Sequence, residues 1–375
     1  MRPVISRASA YQQIGISAHL FIFALHPVPA KGRDGLFFMM KHSNLLLPLL
    51  LLPLLVFSSC GNNGDKPAAD TTHKADSLYN INAMIRKDPG NLDLYVRRAR
   101  ISMAQKDYAS AMNDMNRVLA VDSSKAEYLL AAADVNFFTM HTARTKQLLE
   151  RAVEVNPENV DCLLQLAQLY HYFGKSDDEK EMLDRALKVD PRNAKAFFMK
   201  GMMYKDMGDT ARAISSMQSA VEKEPDYYNA YIQLGVLCAA QHNPLAESYY
   251  LNAININPGS EEAIYNLGMF YQGEHNWNRA IETYTTLLKL NPKNFDAHFN
   301  LGYIHSQELG AVDEGMKYFE LCIDDNPKEP RGYYGVGWCF EKKGDIANAK
   351  VYYKKALEAD PNYTNASLKL EKLER

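Results

Sequence analysis

Residues 261–294 read EEAIYNLGMFYQGEHNWNRAIETYTTLLKLNPKN. Leu267, Gly268 and Tyr271 lie within one helical turn in its first half, Ala280 and Tyr284 do so in its second, and Asn291-Pro292 closes it. Proline lacks an N–H and disfavours helix at the residue before it, so this pair marks a stop. The residue types predict two antiparallel helices. Glycine or alanine lets the backbones approach, and tyrosine, phenylalanine and leucine fill the space between them.

The pattern extends in both directions. An acidic or amide residue followed by proline recurs at Asp88-Pro89, Asn156-Pro157, Asp190-Pro191, Glu224-Pro225, Asn257-Pro258, Asn326-Pro327 and Asp360-Pro361, with Asp122-Ser123 filling the one gap. Successive steps are 34 residues, apart from one of 33 and one of 35. A deletion near Asn243-Pro244 and an insertion near Glu308 to Gly310 account for these two. Both are expected in the turn between two helices, where length changes are tolerated.

The unit repeats its interior as well. Phe197, Gly201, Gly208, Ala213, Ala220 and Pro225 recur at the same spacing as Tyr333, Gly337, Gly344, Ala349, Ala356 and Pro361, with Tyr204 added in the first of these units and Tyr353 in the second. This pattern resembles the tetratricopeptide repeat, from about Leu92 to Pro361. The resemblance implies an all-α fold, a right-handed superhelix (solenoid) of about eight helix-turn-helix repeats. Their approximate bounds are 92–125, 126–159, 160–193, 194–227, 228–260, 261–294, 295–329 and 330–363. The first two depart most from the pattern: Arg98 stands where leucine is usual, Ser102 and Asn136 where tyrosine is, and Thr145 where alanine is. Residues 76–91 read as a lone second helix leading into the array. Residues 362–375, with Leu368, Leu370 and Leu373 on a charged background, read as a C-terminal capping helix.

The N-terminal region has a different character. Residues 1–39 show no repeat register and read as an upstream extension from a start codon placed too early, with translation beginning at Met39 or Met40. Residues 40–59 contain Lys41 and an unbroken apolar run from Leu45 to Phe57, carrying Pro48 and Pro53. The run is too short for a membrane span, which needs about 20 residues, but has the length of a secretory apolar region. Small residues then precede Cys60 in Phe57-Ser58-Ser59-Cys60-Gly61, which resembles the lipobox of bacterial lipoproteins despite phenylalanine where leucine is commonest. That resemblance implies a signal peptide, cleavage before Cys60 and lipid attachment to its thiol, the nucleophile suited to such a transfer. Gly61 rather than aspartate after the cysteine implies an outer-membrane destination. Residues 60–75 are polar and aperiodic and read as the lipidated cysteine and a flexible tether, which would hold a folded body roughly 20 Å from a bilayer.

Charge narrows the function classes. With 42 basic and 45 acidic residues the chain has a net charge of -3. Removal of residues 1–59 takes away five basic and one acidic residue, leaving 37 against 44. Such a balance disfavours nucleic acid as the partner. Five cysteines in 375 residues make no disulfide framework, although Cys322 and Cys339 come from consecutive helices and are candidate neighbours. His298 and His305 lie seven apart without a completing carboxylate or thiol, so they read as structural and no metal site is indicated. No cofactor motif is present: Gly335-Val336-Gly337 lacks a third glycine and follows no strand. Once leader, tether, repeats and cap are assigned, no stretch is left for a catalytic domain.

In the tetratricopeptide family the first helix of each repeat lines a concave groove, and positions spaced four then three apart form its stripe. The stripe contributes Phe137 from the second repeat, Gln168 and His171 from the third, and Phe198, Met202 and Lys205 from the fourth. Tyr265 and Met269 follow from the sixth, Phe299 and Tyr303 from the seventh, and Tyr334 and Trp338 from the eighth. Asn266 and Asn300, at equivalent positions beside the stripe, offer both donor and acceptor to an extended peptide. Several of these side chains fit packing across neighbouring helices equally well. Charges of both signs flank the stripe, Lys195, Lys205 and Arg331 against Glu127, Asp134, Asp161, Glu262 and Asp296, so a purely acidic or purely basic ligand is not indicated. The expectation is a non-catalytic, membrane-anchored scaffold or adaptor. It would bind an unidentified protein or peptide segment in the bacterial cell envelope through this groove and touch the membrane only through its lipid anchor. The alternative is a carbohydrate- or nutrient-capture accessory lipoprotein, periplasmic or surface-facing.

Overall fold

The structure is a computed structural model that describes residues 78–374. The upstream extension, signal peptide, Cys60 and tether lie outside the described residues. Eighteen α-helices and one π turn, with no strand, make up the described residues. None of those helices is long and apolar enough to cross a membrane.

The described residues fall into two compact units, 78–162 and 163–374. The first holds α1 (Leu78–Lys87), α2 (Leu92–Ala104), α3 (Tyr108–Val121), α4 (Ala126–Phe138), α5 (Thr142–Val155) and the start of α6 (Val160–Tyr172). The second holds the rest of α6, then α7 (Ser176–Val189), α8 (Ala194–Asp206), α9 (Thr210–Lys223), α10 (Tyr228–Ala239) and α11 (Leu245–Ile256). It continues with α12 (Glu261–Gly273), α13 (Trp277–Leu290), α14 (Phe295–Tyr303), α15 (Val312–Asp325), α16 (Pro330–Lys342), α17 (Ile346–Ala359) and α18 (Thr364–Glu374).

Local chemistry sets the helix ends. At several repeat boundaries the residue before the proline ends a helix and turns the chain with its own side chain: Asp190 Oδ1 accepts from the Arg192 N–H at 3.0 Å, and Asp360 Oδ1 from the Asn362 N–H at 2.9 Å. Asn193, Ser260 and Asn294 then cap α8, α12 and α14 by accepting from the third N–H of the helix. Between the two helices of each repeat the chain passes once through positive φ, at Lys106, Met140, Gly174, Gly208, His242, His275, Gly310 and Gly344. Glycine takes this conformation freely, whereas the other four bear a steric cost there.

Size matching fixes how closely the paired helices approach. Where the second helix carries Tyr284, Phe319 or Tyr353, the first helix faces it with Gly268, Gly302 or Gly337. At the same register the repeats of the first unit and of α6 carry Ala99, Ala133 and Ala167, with the smaller Met115, Leu149 and Leu183 sixteen residues on, all of them buried.

The two length changes are absorbed differently. The deletion shortens α10 and α11 to 12 residues each, with Pro244 at the start of α11. The insertion was expected in the turn, but the structure takes up the extra residue inside the first helix, as a π turn over Ile304–Glu308 that continues α14. This widening brings the Gly302 carbonyl and the Ser306 N–H against α15. A Cβ at residue 315 would stand 2.7 and 2.8 Å from them, so glycine replaces the alanine that Ala280 and Ala349 supply in neighbouring repeats.

At the C-terminus, α18 buries Ala366 and Leu370 against α17 and half-buries Leu373, whereas Leu368 is 58% exposed. Of the three leucines, Leu368 therefore lies off the face that packs on α17.

Candidate functional site

In the first unit one departure from the repeat pattern is matched by a second on the next helix. Arg98 donates through Nε and Nη2 to both carboxylate oxygens of Asp114, at 2.8 and 2.6 Å, and through Nη1 to Asn82 Oδ1. Asp114 is buried, and its charge is what holds the guanidinium in the place of the usual leucine. Asn136 is buried with Nδ2 on the Ala132 carbonyl. Phe137 is half-buried against the edge of Phe138, which stacks on Tyr108.

In the second unit, side chains of consecutive first helices touch one another directly, which identifies the face these helices share. His171 Nε2 of α6 stands 3.5 Å from Asp206 of α8. Lys205 Nζ donates to Gln233 Oε1 on α10 at 2.7 Å. Asn300 Nδ2 of α14 donates weakly to Met269 Sδ on α12 at 3.5 Å. Arg331 of α16 reaches Asp296 at 3.0 Å and lies over the Phe295 and Phe299 rings.

On this face Gln168 and Met269 are exposed, and His171, Met202, Lys205, Tyr265, Asn266, Phe299 and Tyr303 are half-buried. Phe198, Asn300, Tyr334 and Trp338 are buried and shape the surface from beneath; Phe198 packs on Tyr227, Tyr334 on Tyr353 and Tyr363. The stripe thus separates into an accessible row and a supporting layer. The Asn266 Nδ2 is closed off from water and has no hydrogen-bond partner. Sequence reasoning left out Gln233, which occupies the position of Asn266 and Asn300 one repeat earlier; the repeat step, 33 residues across the deletion, locates it.

The titratable groups near this face have identifiable tasks. Glu179 is buried where other repeats carry alanine, and burial pushes its carboxyl above the usual range. It accepts from His171 Nδ1 at 3.1 Å, and this hydrogen bond raises the imidazole pKa. Burial, followed by Glu308, pushes the Tyr303 hydroxyl up to about 12.

His298 Nδ1 pairs with Asp325 at 2.7 Å, and His305 stacks on Tyr318. Among the described residues no group of three or more histidine, cysteine or acidic side chains is placed to hold a metal ion. The four described cysteines are buried free thiols. Cys322 donates to the Phe295 carbonyl while Cys339 lies near Ser306, so the two do not pair. Burial pushes Cys162 and Cys339 up to about 12, which keeps them protonated and inert.

Comparison with known proteins agrees with this architecture. Models described as tetratricopeptide repeat or TPR repeat match residues 148–181, 182–215, 274–308, 295–329 and 330–363. The C-terminal part of a TPR repeat-containing protein from Cytophaga hutchinsonii superposes with a TM-score of 0.54 at 18% identity, over 62% of this chain and 96% of that one, a likeness of fold. Protein O-mannosyl-transferase TMTC3 of Homo sapiens is 28% identical over 150 residues, 39% of this chain and 16% of that protein. Hsp70-Hsp90 organizing protein 2 of Arabidopsis thaliana is 37% identical over 108 residues, 28% of this chain and 18% of that protein. The matches therefore span less than a fifth of either relative. Tetratricopeptide repeats, units through which proteins bind peptides and other proteins, are thus recognised in this chain.

Proposed function

We propose that this protein is a non-catalytic scaffold, anchored by a lipid on Cys60 to the bacterial outer membrane, that binds a partner protein of the cell envelope. The partner lies as an extended segment across the face that the first helices of the second unit share. The observation that carries the binding part is the Asn266 amide. A buried donor without a partner is unfavourable by about 1–3 kcal/mol; Asn266 as a residue is only half-buried, so a turn of its side chain would bring the amide out to the face, where a backbone carbonyl of the partner would satisfy it. Beside it Met269, 42% exposed, and half-buried Tyr265 supply apolar contact. Anchoring rests on the residues around Cys60 alone, and the name of the mannosyl-transferase relative brings no catalytic group to this face.

The test is crosslinking and capture from solubilised membranes with wild type, Met269→Glu, and Val351→Glu on a second helix. A partner retained by wild type and Val351→Glu but lost from Met269→Glu supports the face. Equal recovery with both variants refutes it. Intact mass and membrane fractionation beside Cys60→Ala test the anchor. An acylated N-terminal Cys60 supports it, and a soluble full-length product rejects it.

A further inference from the structure

Lys205 differs from Lys200, Arg331 and Lys369, three other half-buried cations of the second unit. Lys200 is paired with Asp184, Arg331 with Asp296 and Glu329, and Lys369 with Glu341. Lys205 Nζ instead donates to the neutral Oε1 of Gln233 at 2.7 Å, and among the described residues no carboxylate stands within ion-pair distance of it. Asp206, the adjacent acid, is engaged by His171. Burial lowers the Lys205 pKa, opposed only by Asp206, as expected for an ammonium held partly out of water without a counter-charge. An ammonium carries three protons and Gln233 takes one of them. An unpaired charge in such surroundings is unfavourable until an anion reaches it.

The setting specifies what kind of anion. Half-buried Met202 lies one turn before Lys205 on α8, and half-buried Val236 and exposed Met269 follow on α10 and α12. In the other direction the face continues through His171 and Gln168 on α6. A chain laid along it passes over Lys205 rather than ending there.

We propose that Lys205 is an anionic subsite, which takes the side-chain carboxylate of an aspartate or glutamate inside the bound segment, with apolar residues of that segment on Met202, Val236 and Met269. This rests on the binding face proposed above and adds the chemistry of its partner. The carboxylate supplies the missing counter-charge, and charge-assisted hydrogen bonds make it the strongest single polar contact on the face.

The experiment uses fluorescent, N-acetylated peptide pools of about ten residues, long enough to cross the face when extended. One pool carries Asp or Glu at its centre, a second Asn or Gln there, both C-terminally amidated; a third is the neutral pool with a free C-terminal carboxylate. Polarisation is measured against the detergent-solubilised full chain and its Lys205→Met, Lys205→Arg and Met269→Glu variants. The acidic pool is expected to bind about tenfold tighter than the neutral amide pool, with a steep loss on adding salt. Lys205→Met abolishes that preference and Lys205→Arg retains it, with helicity by circular dichroism unchanged in both. Should Lys205→Met lose helicity, the comparison of pools on wild type decides alone. Equal binding of the amidated pools, lost in Met269→Glu, overturns the subsite and leaves the binding face standing. A preference for the free-terminus pool overturns the side-chain assignment. Binding by no pool overturns both readings.

Discussion

The Tyr284 ring occupies the space that a side chain at residue 268 would need: a Cβ built on Gly268 would stand 2.6 Å from Tyr284 Cε1. Tyr284 is fully buried and its hydroxyl donates to Gln272 Oε1 at 3.0 Å, so the ring is held at both ends. Gly268→Ala is therefore expected to destabilise by about 1–3 kcal/mol through overpacking. Gly273→Ala, in the same helix with nothing within 4 Å, is expected to be neutral or to stabilise by up to about 1 kcal/mol. Urea titration of the two variants separates them, and equal midpoints would contradict this register.

Met140 holds φ at +62° in a turn where Gly174 and Gly208 serve the following repeats. Met140 is also 58% exposed, so replacing it removes little packing. Met140→Gly should raise stability by about 0.5–1 kcal/mol, because the left-handed backbone costs a β-carbon about 1–2 kcal/mol and added freedom in the unfolded chain returns part of that gain. The complementary change, Gly208→Val, should lower it. Thermal melting reads both signs.

Arg98 and Asp114 are a substitution in two parts. Arg98→Leu alone strands the buried Asp114 carboxylate, for an expected loss of about 2 kcal/mol, below the 3–5 kcal/mol of fully enclosed pairs because the guanidinium is part-exposed. Arg98→Leu with Asp114→Leu restores an apolar contact and should recover most of it. A double-mutant cycle without coupling would show the pair to be incidental.

The folded protein raises the pKa of both His171 and Glu179, the first through its hydrogen bond to Glu179 and the second through burial. Both therefore hold protons in the folded state to higher pH than in the unfolded chain, where about 6.5 and 4.3 apply. The folded state binds the extra protons through this window and beyond it, so this pair's contribution to stability falls as pH rises. Between about pH 5 and 8 the wild-type Tm should drop about 2 °C more than that of His171→Gln/Glu179→Ala, a modest figure because the imidazole is part-exposed. An identical pH dependence in the two proteins would remove the pair from the account.

The repeats were legible because their determinants are local. Proline positions and the spacing of Gly268 and Ala280 are properties of short windows, and each helix pair follows from them. What escaped was set by partners distant in sequence. Arg98 looked like a defect because Asp114, which justifies it, lies on the next helix. Glu179 in an alanine position made sense only with His171 beside it. The insertion near Glu308 was placed in the turn, since nothing in the local residues signals a π turn; the compensating Gly315 lies on the next helix. Of the stripe, spacing located the face that consecutive first helices share but not the depth of its side chains. Trp338 shares the register of exposed Met269, and buried Phe198 that of half-buried Tyr265; only packing across helices decides which of them water reaches.

Gly335 sets a boundary. It holds the position that Gln233, Asn266 and Asn300 hold in the three preceding repeats, and it must be glycine because the Phe319 ring lies against it. On the other side the same position is Met199. The amides therefore form a row three helices wide. With packed helices about 8–10 Å apart, its outer members are separated by about 16–20 Å, the span of about five or six residues of extended chain. On the proposed binding face, that is the length of segment the row would underlie, with buried Gln233 and Asn300 supporting its two ends.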